Sequence, residues 1–171
     1  MSSKSLPKNF PSHFPKSKRE EQELGKGKKD ISICKKCGVV YWYKSWHHRL
    51  SDYPQLKLTK NIRFTLCPAC RMINNKEYEG EIVIEDISPE IENDLINTIS
   101  NVGKLAFERD SQDRIISIKT IAQKPIKIQV LTTENQLAVK IAKKIKKAFA
   151  AKPRIKYSKE ESVIRVNICL K

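Results

Sequence analysis

Two CxxC pairs, Cys34 with Cys37 and Cys67 with Cys70, constrain this 171-residue chain more than any other feature. Two residues between paired cysteines let one tight turn aim both sulfurs at a single ion, and N–H groups of that turn can stabilise the thiolates. Gly38 tolerates positive φ and Pro68 fixes φ, so both suit knuckle turns. Two knuckles make a closed tetrahedron. The expected cofactor is therefore one Zn2+ held by Cys34, Cys37, Cys67 and Cys70, preferred over an iron–sulfur cluster and over four redox thiols. Four thiolates leave no open position to activate water, so the metal is expected to be structural. Its binding is worth on the order of 10 kcal/mol, comparable to the whole stability of a small domain, and a metal-free chain should lose the module.

The interval from Cys37 to Cys67 holds 29 residues, longer than the usual ribbon spacing of about 15 to 20, so an insertion should loop out between the knuckles. His47 and His48 fall inside it, but four sulfurs already fill the coordination sphere. The expected fate of these histidines, with Tyr41, Trp42, Tyr43 and Trp46, is either a small aromatic core beside the zinc or, in part, stacking on RNA.

Compartment follows from what the sequence omits. It has no run of about 18 apolar residues, and its first 30 residues lack the apolar centre of a signal peptide. A cytoplasmic protein with no membrane contact is expected. Disulfides are rare in that reducing compartment, which again favours the paired cysteines as ligands and leaves Cys169 without an assigned role.

Residues 1–30 set Lys4, Lys8, Lys16, Lys18 and Arg19 among prolines and serines with no apolar periodicity. They read as a disordered basic arm, either a solubilising tail or an arm that closes on phosphates. From 31 to 80, knuckles and aromatics dominate and helical periodicity is absent, which predicts a zinc ribbon with an insertion. Gly80 marks a boundary, and residues 81–171 alternate β-rich runs with amphipathic helices.

Glu81–Glu85 predicts a buried strand. Ser88 and Pro89 open a helix whose apolar stripe is Ile91, Leu95, Ile99, Val102 and Ala106, ending near Arg109. Arg114–Ile121 and Pro125–Leu131 predict a hairpin. Thr133 and Gln136 have the spacing of a capping box for a second helix with the stripe Leu137, Ile141, Ile145, Ala148 and Phe149. Arg154–Tyr157 and Val163–Leu170 close the chain as strands around a turn. The predicted fold class is α+β, a four-cysteine zinc ribbon followed by a ferredoxin-like β-α-β-β-α-β-β domain.

Formal net charge is +15, from 34 Lys and Arg against 19 Asp and Glu. An anionic partner is expected, and a cationic small-molecule substrate is not. Residues 111–171 hold 15 basic and four acidic side chains, whereas 81–110 hold two basic and eight acidic. Lys140, Lys143, Lys144, Lys147 and Lys152 form a stripe on the polar flank of the second helix, suited to a phosphate backbone or to plain solvation. With the basic arm, Arg49, Arg63 and Arg71, the balance favours nucleic acid. No RNP1-like motif occurs, so contacts should go mostly to phosphate and shape.

The run CKKCGVVYWYKSW within Ile31–Trp46, followed by CPAC, a strand, a helix and the TTENQLAVKIAKKI helix, resembles the nonsense-mediated-decay-three family of large-ribosomal-subunit adaptor proteins. The likeness covers residues 31–170 and is closer still to short prokaryotic relatives of the same organisation. In that family a CxxC knuckle, a Tyr or Phe and then a Trp pair with a later CxxC. Cys34, Cys37, Tyr41, Trp46, Cys67 and Cys70 match those positions. The resemblance implies contact with ribosomal RNA or the large subunit. The family's additional knuckles, C-terminal domains and export signals have no counterpart here, which argues against nuclear export.

The leading expectation is a non-catalytic, ribosome-associated RNA-binding factor. A DNA-binding or transcription-associated ribbon protein and a thiol-redox or zinc-handling protein remain as alternatives. No Ser-His-Asp set, glycine loop for phosphates or open metal site can be assembled from three histidines and five glycines, so no enzyme activity is expected.

Overall fold

The computed structural model describes residues 31–42, 44–49, 62–158 and 162–170. The basic arm, Tyr43 and most of the insertion lie outside the described residues.

Two sheets organise the described residues. The first joins β1 (Ile31–Cys34), β2 (Val40–Trp42), β3 (Ser45–His47) and β4 (Ile62–Thr65) in the order β3-β2-β1-β4. β1 pairs antiparallel with β2 but parallel with β4, in a register that sets Cys34 opposite Thr65. That register brings the two knuckles together, because both strands end at the same level and the chain after Thr65 reaches Cys67 in two residues.

Helix α1 (Pro68–Asn75) follows at once, where the sequence reading expected no helix. The cause is local. Cys67 is an extended N-cap whose sulfur accepts from the Cys70 N–H, and Pro68 occupies the first turn with φ already helical. Lys76, in the left-handed region at φ 59°, ends the helix.

The second sheet holds β5 (Gly80–Ile87), β6 (Ile115–Gln123), β7 (Ile126–Thr132), β8 (Arg154–Ser158) and β9 (Val163–Cys169), in the order β6-β7-β5-β9-β8. Helix α2 (Pro89–Arg109) follows β5, and α3 (Asn135–Ala148) follows β7. The expected hairpin is present as antiparallel β6 and β7. A ferredoxin-like plan would seat the strand after α3 beside β5. Instead β8 goes to the sheet edge and β9 turns back into the gap, parallel to β5. The composition of the strands explains the exchange. β9 buries Val163, Val166 and Ile168, whereas the first four residues of β8 are all exposed, so the more apolar strand takes the interior place.

One core gathers Ile82 and Ile84 of β5, Leu95 and Ile99 of α2, Ile128 and Val130 of β7, Leu137, Ile141 and Ile145 of α3, and Val166 and Ile168 of β9. Both helices therefore cover the same sheet face. Ala148, expected in the α3 stripe, is exposed at the last turn, while Ala138 and Ala142 are buried. Gly80 is required by close approach, since a Cβ there would meet Thr132 Oγ1 and would lie 2.6 Å from Ala138 Cβ.

Two predicted caps are spent elsewhere. Ser88 Oγ donates to Glu90 Oε2 instead of capping α2. Thr133 Oγ1 donates to the Gln112 carbonyl and accepts from the Arg114 N–H, so the N-cap of α3 falls to Glu134, whose side chain makes no cap bond. Tertiary partners at this junction outcompete the local capping box.

Candidate metal centre

The four sulfurs of Cys34, Cys37, Cys67 and Cys70 lie within 4.8 Å of one another, and those of Cys37 and Cys67 are 3.7 Å apart. Zinc–sulfur bonds of about 2.3 Å in a tetrahedron require sulfur–sulfur edges of about 3.8 Å. The cluster thus has the size and donor chemistry to hold one metal ion of soft-ligand preference. Cys34, Cys67 and Cys70 are buried, and Cys37 is partly exposed.

Backbone geometry prepares the ligands. Gly38, at φ +77°, lets its N–H reach the Cys34 carbonyl at 2.8 Å and closes the first knuckle. The Lys35 N–H donates to the Thr65 carbonyl at 2.9 Å, pinning that knuckle to the end of β4. The Cys67 N–H then donates to Cys34 Sγ at 3.3 Å.

These contacts divide the thiols electrostatically. Burial opposes ionisation of Cys34, but N–H groups of Cys67, Cys37 and Lys36 outweigh it and pull the thiol down to about 6. Burial pushes the Cys67 thiol up, helped by the nearby Cys37 sulfur. Burial likewise pushes Cys70 up, to about 11, helped by its contact with Cys37. Sulfurs this close cannot all carry negative charge unless a cation sits among them.

One cation comes from the loop between α2 and β6. The Arg114 guanidinium donates from Nη2 to Cys37 Sγ at 3.2 Å and from Nη1 to Cys70 Sγ at 3.6 Å. Its Nε donates to the Ser111 carbonyl at 2.9 Å, and its carbon lies 5.1 Å from the centre of the Phe107 ring. Burial disfavours the charge on Arg114, but the Cys37 bond and attraction to the sulfurs raise its pKa overall. The same α2–β6 loop makes two further ties. Gln112 Oε1 accepts from the Ala69 N–H at 3.1 Å, and Ser111 Oγ donates to the Trp46 carbonyl at 3.2 Å. Sequence reasoning missed Arg114, Gln112 and Ser111. Arg114 stands 77 residues from Cys37, and no local pattern marks an arginine as a partner for sulfur.

The aromatics settle beside this cluster. Trp46 packs against the cysteines and Tyr41, with ring centres 5.3 Å apart for the latter pair, while Trp42 packs on Ile31 and Val40. His47 Nε2 bonds the Trp42 carbonyl, and the His48 ring meets Phe107 edge-on at 4.8 Å. Neither histidine joins the sulfur cluster. Cys169 is exposed and donates to Asp86 Oδ2.

The predicted cationic residues are dispersed. Lys143, Lys144 and Lys147 are exposed along α3, and Lys152 is exposed just beyond it. Lys140 is half-exposed but bonded to Asp113 at 2.9 Å, which reduces what it can offer a phosphate. Arg49, Arg63 and Arg71 are exposed after β3, on β4 and on α1, so no single element carries them. No helix among the described residues is long and apolar enough to cross a membrane. No protein-family model and no curated protein matches this chain.

Proposed function

We propose that this chain is a non-catalytic zinc-ribbon protein that binds RNA and docks on the ribosome at its large subunit. The observation that carries the reading is the segment 135–158, which holds eight basic side chains and no acidic one. It folds into α3 and the edge strand β8, with Lys143, Lys144, Lys146, Lys147, Lys152, Arg154 and Lys156 all exposed. A segment of one sign on rigid elements attracts a polyanion without sequence preference. The resemblance of the knuckles and the lysine-rich helix to ribosomal adaptor proteins points to ribosomal RNA as that polyanion.

Zinc is the ion that best suits four clustered cysteine thiolates of this spacing. With its sphere filled by protein, its part is to fold the ribbon and hold it against the α2–β6 loop. Sedimentation of the tagged protein through a sucrose gradient at low salt tests the whole reading. Co-migration with large subunits that is lost steeply as salt rises is expected. Protein that stays at the top of the gradient would refute it. Competition by duplex DNA over structured RNA would favour a DNA-binding ribbon, and zinc readily surrendered to a moderate chelator would favour a zinc-handling role.

A further inference from the structure

The register of the second sheet fixes which way the edge strand presents its side chains. Ile155 stands opposite Val166 and Tyr157 opposite Ile164. Val166 is buried in the core beneath the helices, so Ile155 and Tyr157 lie on the helix-covered face of the sheet. Yet they remain 49% and 55% exposed. α3 packs over β5, β7 and β9, and β8 extends past it.

The two flanks of α3 can also be told apart. Asn135 Oδ1 accepts from the Ile164 N–H at 2.9 Å, and its Nδ2 donates to the Ser162 carbonyl at 3.1 Å, so this flank faces the start of β9 and hence β8. Val139, Ala142 and Lys146 continue the same flank at helical spacing, with Lys143 beside them. Lys140 lies on the other flank, held by Asp113 of the α2–β6 loop. Lys146, with Lys143 next to it, therefore lies on the flank of α3 that faces β8. Arg154 and Lys156 project on the opposite sheet face, opposite Asn167 and Arg165.

We infer that the strip between α3 and β8 binds single-stranded RNA, with an unpaired base stacked on Tyr157 and phosphates along Lys143 and Lys146. The inference rests on the RNA reading above and narrows it. A lysine helix alone would hold duplex and single strand alike, because phosphates are all it reads. An exposed tyrosine beside an isoleucine offers a platform that only an unstacked base can use. Positions 155 and 157 are about 7 Å apart along the strand, twice the roughly 3.4 Å rise of stacked bases, so bases seated on both must be unstacked. The absence of acidic residues from 135 to 158 selects a polyanion over a protein strand as the partner at this edge.

The test is fluorescence anisotropy of the full chain with a 12-nucleotide single-stranded RNA, the matching RNA duplex and a single-stranded DNA of the same sequence. The single-stranded RNA should bind tightest. Tyr157→Ala should weaken it about fivefold or more, with Tyr157→Phe near wild type and duplex binding unchanged. Lys143→Ala with Lys146→Ala should weaken every nucleic acid and flatten the salt dependence. If Tyr157→Ala leaves single-stranded affinity intact while the lysine variant lowers it, the stacking inference falls and the RNA reading survives. Preference for the DNA strand overturns RNA as the ligand. Failure of wild type to bind any of the three overturns the reading on which the inference stands.

Discussion

Arg114 is, with Ser111 and Gln112, a residue through which the two halves of the molecule meet. A centre of four thiolates around a divalent cation carries a net charge of −2, and Arg114 places one positive charge against two of its sulfurs. Outer partners of this kind typically contribute 10- to 100-fold to metal affinity. Arg114→Gln is therefore expected to release zinc to a chromogenic chelator at least about tenfold faster, with Arg114→Lys intermediate because one ammonium cannot fork to both sulfurs. The thiols set the pH dependence. In the metal-free centre Cys34 titrates at about 6, while Cys67 and Cys70 are pushed up and keep their protons at neutral pH. A metal ion that binds here must displace those protons, so its affinity should weaken as pH falls. A weakly buffered titration near pH 7.5 should record at least two protons released per ion.

At the scale of elements, what was legible depended on whether the cause was local. The boundaries of α2 follow from Pro89 at one end and the exhausted apolar stripe at the other, and helix formation is a local matter. α1 leaves little trace in the sequence because its eight residues carry no long apolar stripe and its cap is a cysteine, whose spacing signals a metal ligand instead. The capping box at Thr133 failed because Gln112 and Arg114 claim the same hydroxyl. That failure leaves Glu134 at the start of α3, half-buried among Glu79, Asp113 and Asp110, with its carboxyl raised to about 7, first by burial and then by those charges. A carboxyl raised on folding contributes stability that is present below its unfolded value of 4.5 and lost as pH rises through 7. Glu134→Gln should therefore melt higher in urea than wild type at pH 8, by on the order of 1 kcal/mol after allowance for its partial exposure. The difference should vanish as pH is lowered towards 4.5.

Across the whole molecule, two cores of unequal self-sufficiency sit side by side. The five-stranded sheet and its two helices share one apolar cluster that includes Ile82, Leu95, Ile128, Ile141 and Val166. Among the described residues of the first sheet and α1, the buried apolar side chains other than the cysteines are Val39, Ala69, Ile31 and Val40, with Trp46, Leu66, Ile33 and Trp42 packed against them. An apolar cluster of that size offsets little of the entropy of ordering these elements, so a bound metal would supply the difference. Chelation should abolish amide protection in β1 to β4 and α1 while β5, β7 and β9 keep theirs, as hydrogen exchange would record. Equal loss in both halves would mean that the α2–β6 loop depends on the ribbon for its own order.

The chain's own sequence marked the four cysteines that cluster, the α+β class and most element boundaries from residue 81 onwards. Cysteine spacing, apolar periodicity and proline position act over a few residues and need no knowledge of the rest. Only the tertiary structure decided that β9, not β8, lies beside β5, that the knuckles meet through a parallel β1–β4 pair, and that Arg114 faces the sulfurs. Each of those outcomes is a competition between partners far apart in the chain. Such contests are won by total burial and charge balance, which no short stretch of sequence contains.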